Sequence, residues 1–388
     1  MLKNKDVFKS NMRQYTMGFA LILLVILFQF LTKGVLLKPQ NVTNLLLQNS
    51  YVIILAMGML LCILSGGNID LSVGSIVAFI GAVSATLIVN NDMAVLPGIL
   101  IALFVGLIIG AWQGFWIAFI EIPSFIVTLA GMLMFRGLTL VLLNGRTIGP
   151  YPETFQILSS GFITDIMPEN PLHMLTIIAG VIFSLVFIAN ELFNIRMKKQ
   201  YGLVNSSIVF TIIKLVLGIA VINMFTYTLA SYKGISTVML ILLGLFFIYN
   251  FITKKSVFGR HIYAMGGNVK AARLSGVKTS RVLFLVYVNM ALLSALAGIV
   301  IAGRLNAATP KAGNGFELDA IAACFIGGAS TTGGIGTVFG VIVGALIMGV
   351  LNNGMSIMGV SVDWQQAIKG MVLLLAVASD ILSKRRAK

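Results

Sequence analysis

The sequence predicts an all-α, polytopic integral membrane protein. Three observations carry this. Of 388 residues, 58% are hydrophobic and only 10% charged, with mean hydropathy +1.00. Soluble domains are about 45–50% apolar and about 25% charged. The apolar residues come in blocks of about twenty, the length that crosses ~30 Å of hydrocarbon. The basic residues lie mostly between those blocks. Most of the 27 Lys and Arg fall in four segments: before Tyr15, in Arg196–Lys199, in Lys254–Arg281 and after Ser383. Such clusters hold short loops on the cytoplasmic side. The net charge of +15 is therefore an orientation signal, and no nucleic acid partner is expected.

The apolar blocks place spans at 16–37, 45–64, 72–89, 96–120, 125–143, 172–190, 208–231, 235–252, 282–303, 317–331, 335–351 and 366–382. The first follows Lys3, Lys5, Lys9 and Arg13. It is too long for a signal-peptide core and lacks a small-residue cleavage site, so it reads as an uncleaved span. The span 317–331 is the least regular. It opens on Glu317 and Asp319 and runs into the glycine-rich Gly327–Gly336, so it is either a full crossing or a re-entrant helix. Twelve crossings with a cytoplasmic N-terminus put the C-terminal Lys384–Lys388 tail, Arg196–Lys199 and Lys254–Arg281 on one side. Asn144–Pro171 is then external, and its four prolines exclude one regular helix. Thr253–Arg281 is cytoplasmic and lies within a single transmembrane domain, 1–388.

An internal echo joins the two halves. Ala111-Trp-Gln-Gly-Phe leads into Ile122-Pro-Ser-Phe-Ile-Val, and Leu351-Asn-Asn-Gly-Met leads into Val360-Ser-Val-Asp-Trp-Gln-Gln. Each follows a glycine-spaced span, with Gly106 and Gly110 in one and Gly340, Gly344 and Gly349 in the other. The two would cross in opposite directions, as in an inverted repeat around a central pathway. The glycine spacing itself signals close helix packing.

Catalytic signatures are missing from the sequence. There is no phosphate loop, since Gly333-Gly-Ile-Gly-Thr lacks the following Lys. His173 and His261 are too far apart for a zinc helix. Cys62 and Cys324 read as small buried hydrophobes. No nucleophile–base set is evident. Passage, not covalent chemistry, is the expected work, with no cofactor.

Several polar residues need a reason. Asp70, in Gly66-Gly-Asn-Ile-Asp-Leu-Ser-Val-Gly-Ser, either caps a helix or lines a cavity at a broken helix. Glu317 and Asp319, after Gly313-Asn-Gly-Phe, pose the same choice. Asn352 and Asn353 end a span. Gln113, Asn223 and Asn289 fit interhelical hydrogen bonds. Arg136 and Lys214 are expected to snorkel to an interface. As pathway candidates, Asn68, Asp70, Asp319, Asn352 and Asn353 stand out. The basic loop differs in kind. Ile262, Tyr263 and Met265 are apolar residues in a segment expected to face water, which suggests a docking surface for a soluble partner.

Phe258-Gly-Arg-His-Ile-Tyr-Ala-Met-Gly-Gly-Asn, leading to Ala271-Ala-Arg-Leu-Ser-Gly-Val, resembles the ATPase-coupling loop of sugar permeases from ATP-binding-cassette importers, in the ribose, galactose and xylose branch. Gly67-Asn-Ile-Asp-Leu-Ser-Val-Gly-Ser, Ile122-Pro-Ser-Phe-Ile-Val-Thr-Leu, Leu318-Asp-Ala-Ile-Ala and Val350-Leu-Asn-Asn-Gly-Met are similar to other signatures of that family. The matches run from Leu45 to Leu382. Extra apolar sequence between Asn190 and Ile235 sets the chain apart from shorter ribose-type permeases and makes it similar to xylose-type or multiple-monosaccharide permeases. The resemblance implies a homodimer in the bacterial inner membrane, served by an ATP-binding-cassette ATPase and an extracytoplasmic sugar-binding protein. It implies coupling through Gly259, Arg260, Tyr263, Gly266, Gly267, Asn268, Ala272, Arg273 and Gly276. The alternative, an ion-coupled secondary sugar transporter, would need titratable groups at mid-span.

Overall fold

A computed structural model describes residues 2–167, 169–201 and 208–385. Fifteen helices follow in order among them: α1 (Leu2–Leu31), α2 (Pro39–Leu64), α3 (Val73–Ala85), α4 (Val95–Ala118), α5 (Ser124–Leu143), α6 (Glu153–Ser160), α7 (Met174–Gln200), α8 (Ile208–Ala230), α9 (Thr237–Lys255), α10 (Val257–Gly267), α11 (Val269–Leu274), α12 (Thr279–Leu305), α13 (Phe316–Ile326), α14 (Val338–Ile357) and α15 (Val362–Arg385). The end of the C-terminal basic tail, 386–388, lies outside the described residues.

Nine helices among the described residues are long and apolar enough to span a bilayer, one of them α3 continued by a π-helical stretch, Thr86–Asn90. They start within a few residues of the expected positions. One expectation changes. The 317–331 span is α13, only 11 residues long, which at ~1.5 Å per residue is about 16 Å. It is too short to cross, and twelve complete crossings are not seen among the described residues. Gly315, at φ +77, opens this short helix, and the turn after Gly327 closes it.

The centre of the molecule is α2. From Val52 to Leu64 its residues are essentially all buried, and a helix that is apolar all round belongs inside a bundle. α12 lies against it and against α4. Gly106 and Gly110 of α4 permit that approach: a Cβ at Gly106 would sit 2.5 Å from the Ala295 Cβ, and one at Gly110 would sit 2.6 Å from the Val288 Cα. The expected glycine packing role is met.

The helices run between two faces. One carries α10 and α11; the other carries α6. α12 runs from the first, the loop face, to the second, the far face, where Gly303 meets Ser159 and Phe155 of α6. α2 runs the other way. After α2 the chain turns through 65–72 and α3 starts recessed inside the bundle, level with Gln113 and Gly131. After α12 it turns through 306–315 and α13 starts recessed likewise. The two recessed starts touch: a Cβ on Gly74 would overlap the Gly313 carbonyl oxygen and lie 2.5 Å from the Glu317 carboxylate. α3 leads from there to the far face, and α13 leads to the loop face. The order long, recessed, long, long therefore occurs in α2–α5 and again, inverted, in α12–α15. This is the architecture of an inverted repeat.

α7 and α8 pack mainly on each other at the periphery. Asn223 donates to Ser184 Oγ at 2.9 Å, an expected interhelical bond. Lys214 does not simply snorkel; it pairs with Glu191 across the hairpin at 2.6 Å. The described part of the extra apolar sequence after Asn190 is the end of α7 and α8, and its residues 202–207 lie outside the described residues. At the far face Asp165 accepts from the Met174 and Leu175 amides at 2.9 Å each, satisfying two donors at the start of α7.

Candidate functional site

The basic loop folds into two short helices. Ser256 accepts from the Gly259 amide at 2.9 Å and starts α10. Asn268, in extended conformation, ends α10, and its side chain accepts from the Ala271 amide at 3.0 Å to cap α11. Gly276, at φ +86, turns the chain toward α12.

The loop has an inner and an outer side. The expectation that Ile262, Tyr263 and Met265 face water is wrong for this side of the loop. Ile262, Met265 and Ala272 are buried, and the Tyr263 hydroxyl donates to the Gly336 carbonyl at 2.7 Å. Burial pushes the Tyr263 phenol above its usual range, so it stays a donor at neutral pH. These apolar groups anchor the loop to the span ends because their burial removes apolar area from water. The outer side presents Arg260, Gly267, Asn268, Val257 and, at 90% exposure, Leu274.

Beneath the loop, three glycine turns meet. Gly66-Gly67 precedes the α3 start, Gly333-Gly334 lies between α13 and α14, and Gly266 belongs to α10. A Cβ on Gly333 would be 2.8 Å from the Gly66 Cα, and one on Gly334 would be 2.9 Å from the Gly266 carbonyl carbon. A Cβ on Gly266 would overlap the Leu64 carbonyl oxygen and the Gly334 amide. The Gly334 amide donates to the Leu64 carbonyl at 3.1 Å. Only glycine allows backbones this close. The basic loop thus rests directly on the turns that precede α3 and follow α13. Gly267, by contrast, points into open space. Gly259 is also structural, since a Cβ there would overlap the Ile252 carbonyl oxygen.

The expected pathway residues separate into distinct places. Asn68 donates to Ser65 Oγ at 3.2 Å and lines an open cavity of about 350 Å³ under α10 and α11, with Glu121, Met265, Val269 and Arg273. Arg273 reaches Glu121 at 3.5 Å, an exposed pair worth about 0–1 kcal/mol. Asp70 is fully buried. Its Oδ1 accepts from the Ser72 amide at 2.8 Å and from Ser72 Oγ at 2.6 Å. Gln113 of α4 in turn donates to Ser72 Oγ at 2.7 Å, so Asp70 fixes the start of α3 against α4. Asn353 exchanges amide hydrogen bonds with Asn41 at 2.8 and 3.2 Å near the far end of α14. Asn352 is half-buried beside it.

Asp319 sits at the α13 start. It accepts from the Tyr51 hydroxyl at 2.8 Å and pairs with Lys369 of α15 at 3.0 Å. Tyr51 stacks on Phe316 with centroids 3.7 Å apart. On the other side of α13, Arg136 of α5 does not snorkel. Its guanidinium donates to the carbonyls of Pro310 and Ala312 at 3.2 and 2.6 Å, close to Glu317. Sequence reasoning missed Lys369, Tyr51 and this role of Arg136. The available signal was a Lys and an Arg inside apolar spans, where charge marks function by default.

Residues 41–377 match the family described as branched-chain amino acid transport system, permease component. The chain belongs to this permease family. It is a transport component rather than an enzyme, and its bundle is the multi-pass membrane part. It is 39% identical over 386 residues to the xylose transport system permease protein XylH of Haemophilus influenzae, covering 100% of both chains. It is 39% identical to the XylH of Escherichia coli K12, covering 97% of this chain and 93% of that protein. The ribose import permease protein RbsC of the same strain is 35% identical over 88% of this chain and 85% of its own length. No solved structure matches the chain.

Proposed function

We propose that this chain is the permease subunit of an ATP-driven importer for monosaccharides, with a xylose-like pentose as the favoured cargo. Two copies form the pathway. An ATP-binding-cassette ATPase docks on the outer side of α10–α11, and an extracytoplasmic binding protein delivers sugar to the far face. Both termini and the basic loop are cytoplasmic, in keeping with the positive-inside bias.

The observation that carries the reading is the double-sided loop. Its outer side is exposed and apolar-tipped at Leu274, and its inner side is held on the two glycine turns. A motor on the outer side therefore moves α3 and α13 through backbone contacts. The sugar assignment rests on the full-length likeness to xylose permeases.

The test is a cross-linking and transport pair. Leu274→Cys should cross-link to the co-expressed ATPase, and vesicles carrying the full system should take up xylose in preference to ribose. A loop that cross-links to no ATPase, or uptake indifferent to the binding protein, contradicts the proposal.

A further inference from the structure

The two recessed helix starts carry charge that the coupling loop does not explain. Arg136 lies 7 residues before the end of α5, and Lys369 lies 7 residues after the start of α15. At ~1.5 Å per residue each is about 10 Å inside the far end of its helix. Between them, the first turn of α13 supplies Glu317 toward Arg136 and Asp319 toward Lys369. Leu318 and Asn314 are exposed at the same level.

This flank is otherwise apolar. α5 shows Leu129, Leu133 and Leu138 outward, and α15 shows Met371, Leu374 and Leu375. The charged row is only partly covered: the Lys369 side chain is 25% exposed, and Arg136 and Glu317 are half-buried. Groups of this kind inside spans face a protein interior or a water-filled cavity, not hydrocarbon. The row therefore needs a non-lipid neighbour.

Its chemistry says which. Arg136 and Lys369 stand against Glu317 and Asp319, and the half-buried Arg304 lies near Tyr51, so the row sets charged donors and acceptors side by side. It alternates donors with acceptors, and hydroxyl groups both donate and accept. We propose that the flank between α5 and α15 is a water-accessible sugar lane, in which Arg136, Glu317, Asp319 and Lys369 exchange their mutual contacts for hydroxyls of a neutral polyol in transit. This rests on the permease reading and names the residues that touch the cargo.

Labelling tests the lane without ATP or the ATPase, so it stands apart from the docking proposal. In native membranes, Asn314→Cys and Leu318→Cys are treated with a charged methanethiosulfonate, against Leu133→Cys and Leu374→Cys. Native Cys62 and Cys324 are buried and stay in place. The lane predicts fast labelling of the first two, slowed by sugar, and little of the second two. Equal, negligible labelling of all four overturns it. For the polar row, Asp319→Asn and Lys369→Gln should each lower uptake by about tenfold or more, the scale of a lost hydrogen bond to a charged group. The swap Asp319→Lys with Lys369→Asp should not recover uptake. Recovery to wild-type uptake by the swap shows a purely structural pair and overturns the sugar role. Membrane abundance of each variant is measured alongside, and a swap variant that is present but inactive supports the proposal.

Discussion

Gly266 and Gly267 are neighbours with opposite surroundings, and their alanine and tryptophan variants should behave oppositely. A methyl at Gly266 would overlap the Leu64 carbonyl oxygen and the Gly334 amide nitrogen, both backbone atoms. Neither can rotate away as a side-chain tip could. The three glycine turns must spread, and forced overpacking of this kind costs about 1–3 kcal/mol. A methyl at Gly267 meets nothing, so Gly267→Ala should lie within ~0.5 kcal/mol of wild type, as for surface substitutions. Gly267→Trp should also leave the fold unchanged, because its indole points outward, but it should block an ATPase that sits on this side. The assay is thermal unfolding of detergent-solubilised permease, followed by co-purification with the ATPase. Gly266→Ala should unfold earlier, and Gly267→Trp should unfold normally yet lose the ATPase. A Gly267→Trp permease that binds ATPase normally, or a Gly266→Ala variant as stable as wild type, refutes the geometry argued for this loop.

Other predictions follow from single contacts. Tyr263→Phe removes one hydrogen bond, to Gly336, worth about 0.5–1.5 kcal/mol; the complex should still assemble, while sugar moved per ATP hydrolysed falls. Asp70→Asn keeps an oxygen for Ser72 and should be mild, whereas Asp70→Ala leaves the buried Ser72 amide without its acceptor, a loss of about 1–3 kcal/mol visible as earlier unfolding. Asn353→Leu leaves the Asn41 Oδ1 without its donor at a partly buried site while Asn41 Nδ2 keeps the Leu36 carbonyl, and should destabilise the α2–α14 contact by ~1 kcal/mol, with Asn41→Leu in the same chain recovering part of it.

The sequence was most legible where composition alone decides. Apolar blocks located the long helices, because a bilayer imposes length and hydropathy on each one separately. α13 was ambiguous because a half-helix has the same apolar content per residue; what shortens it is contact with α3, α14 and the glycine turns. The inverted repeat was faintly legible in the echo around Gln113 and Asn352, and its full extent depended on seeing both recessed starts together. In the loop, the residues were found but their direction was not. Ile262 and Met265 look exposed in a basic segment, and only the position of the span ends beneath them shows that they are buried. Arg136 and Lys369 are 233 residues apart, so nothing local in the chain joins them to Glu317 and Asp319.

The most direct test of the central claim is transport by purified components in liposomes. With the ATPase inside, ATP present and the binding protein outside, the permease should accumulate xylose, and the Gly267→Trp variant should not. Accumulation driven by an ion gradient with no ATPase, or normal uptake by Gly267→Trp, would contradict a permease gated by an external motor through this loop.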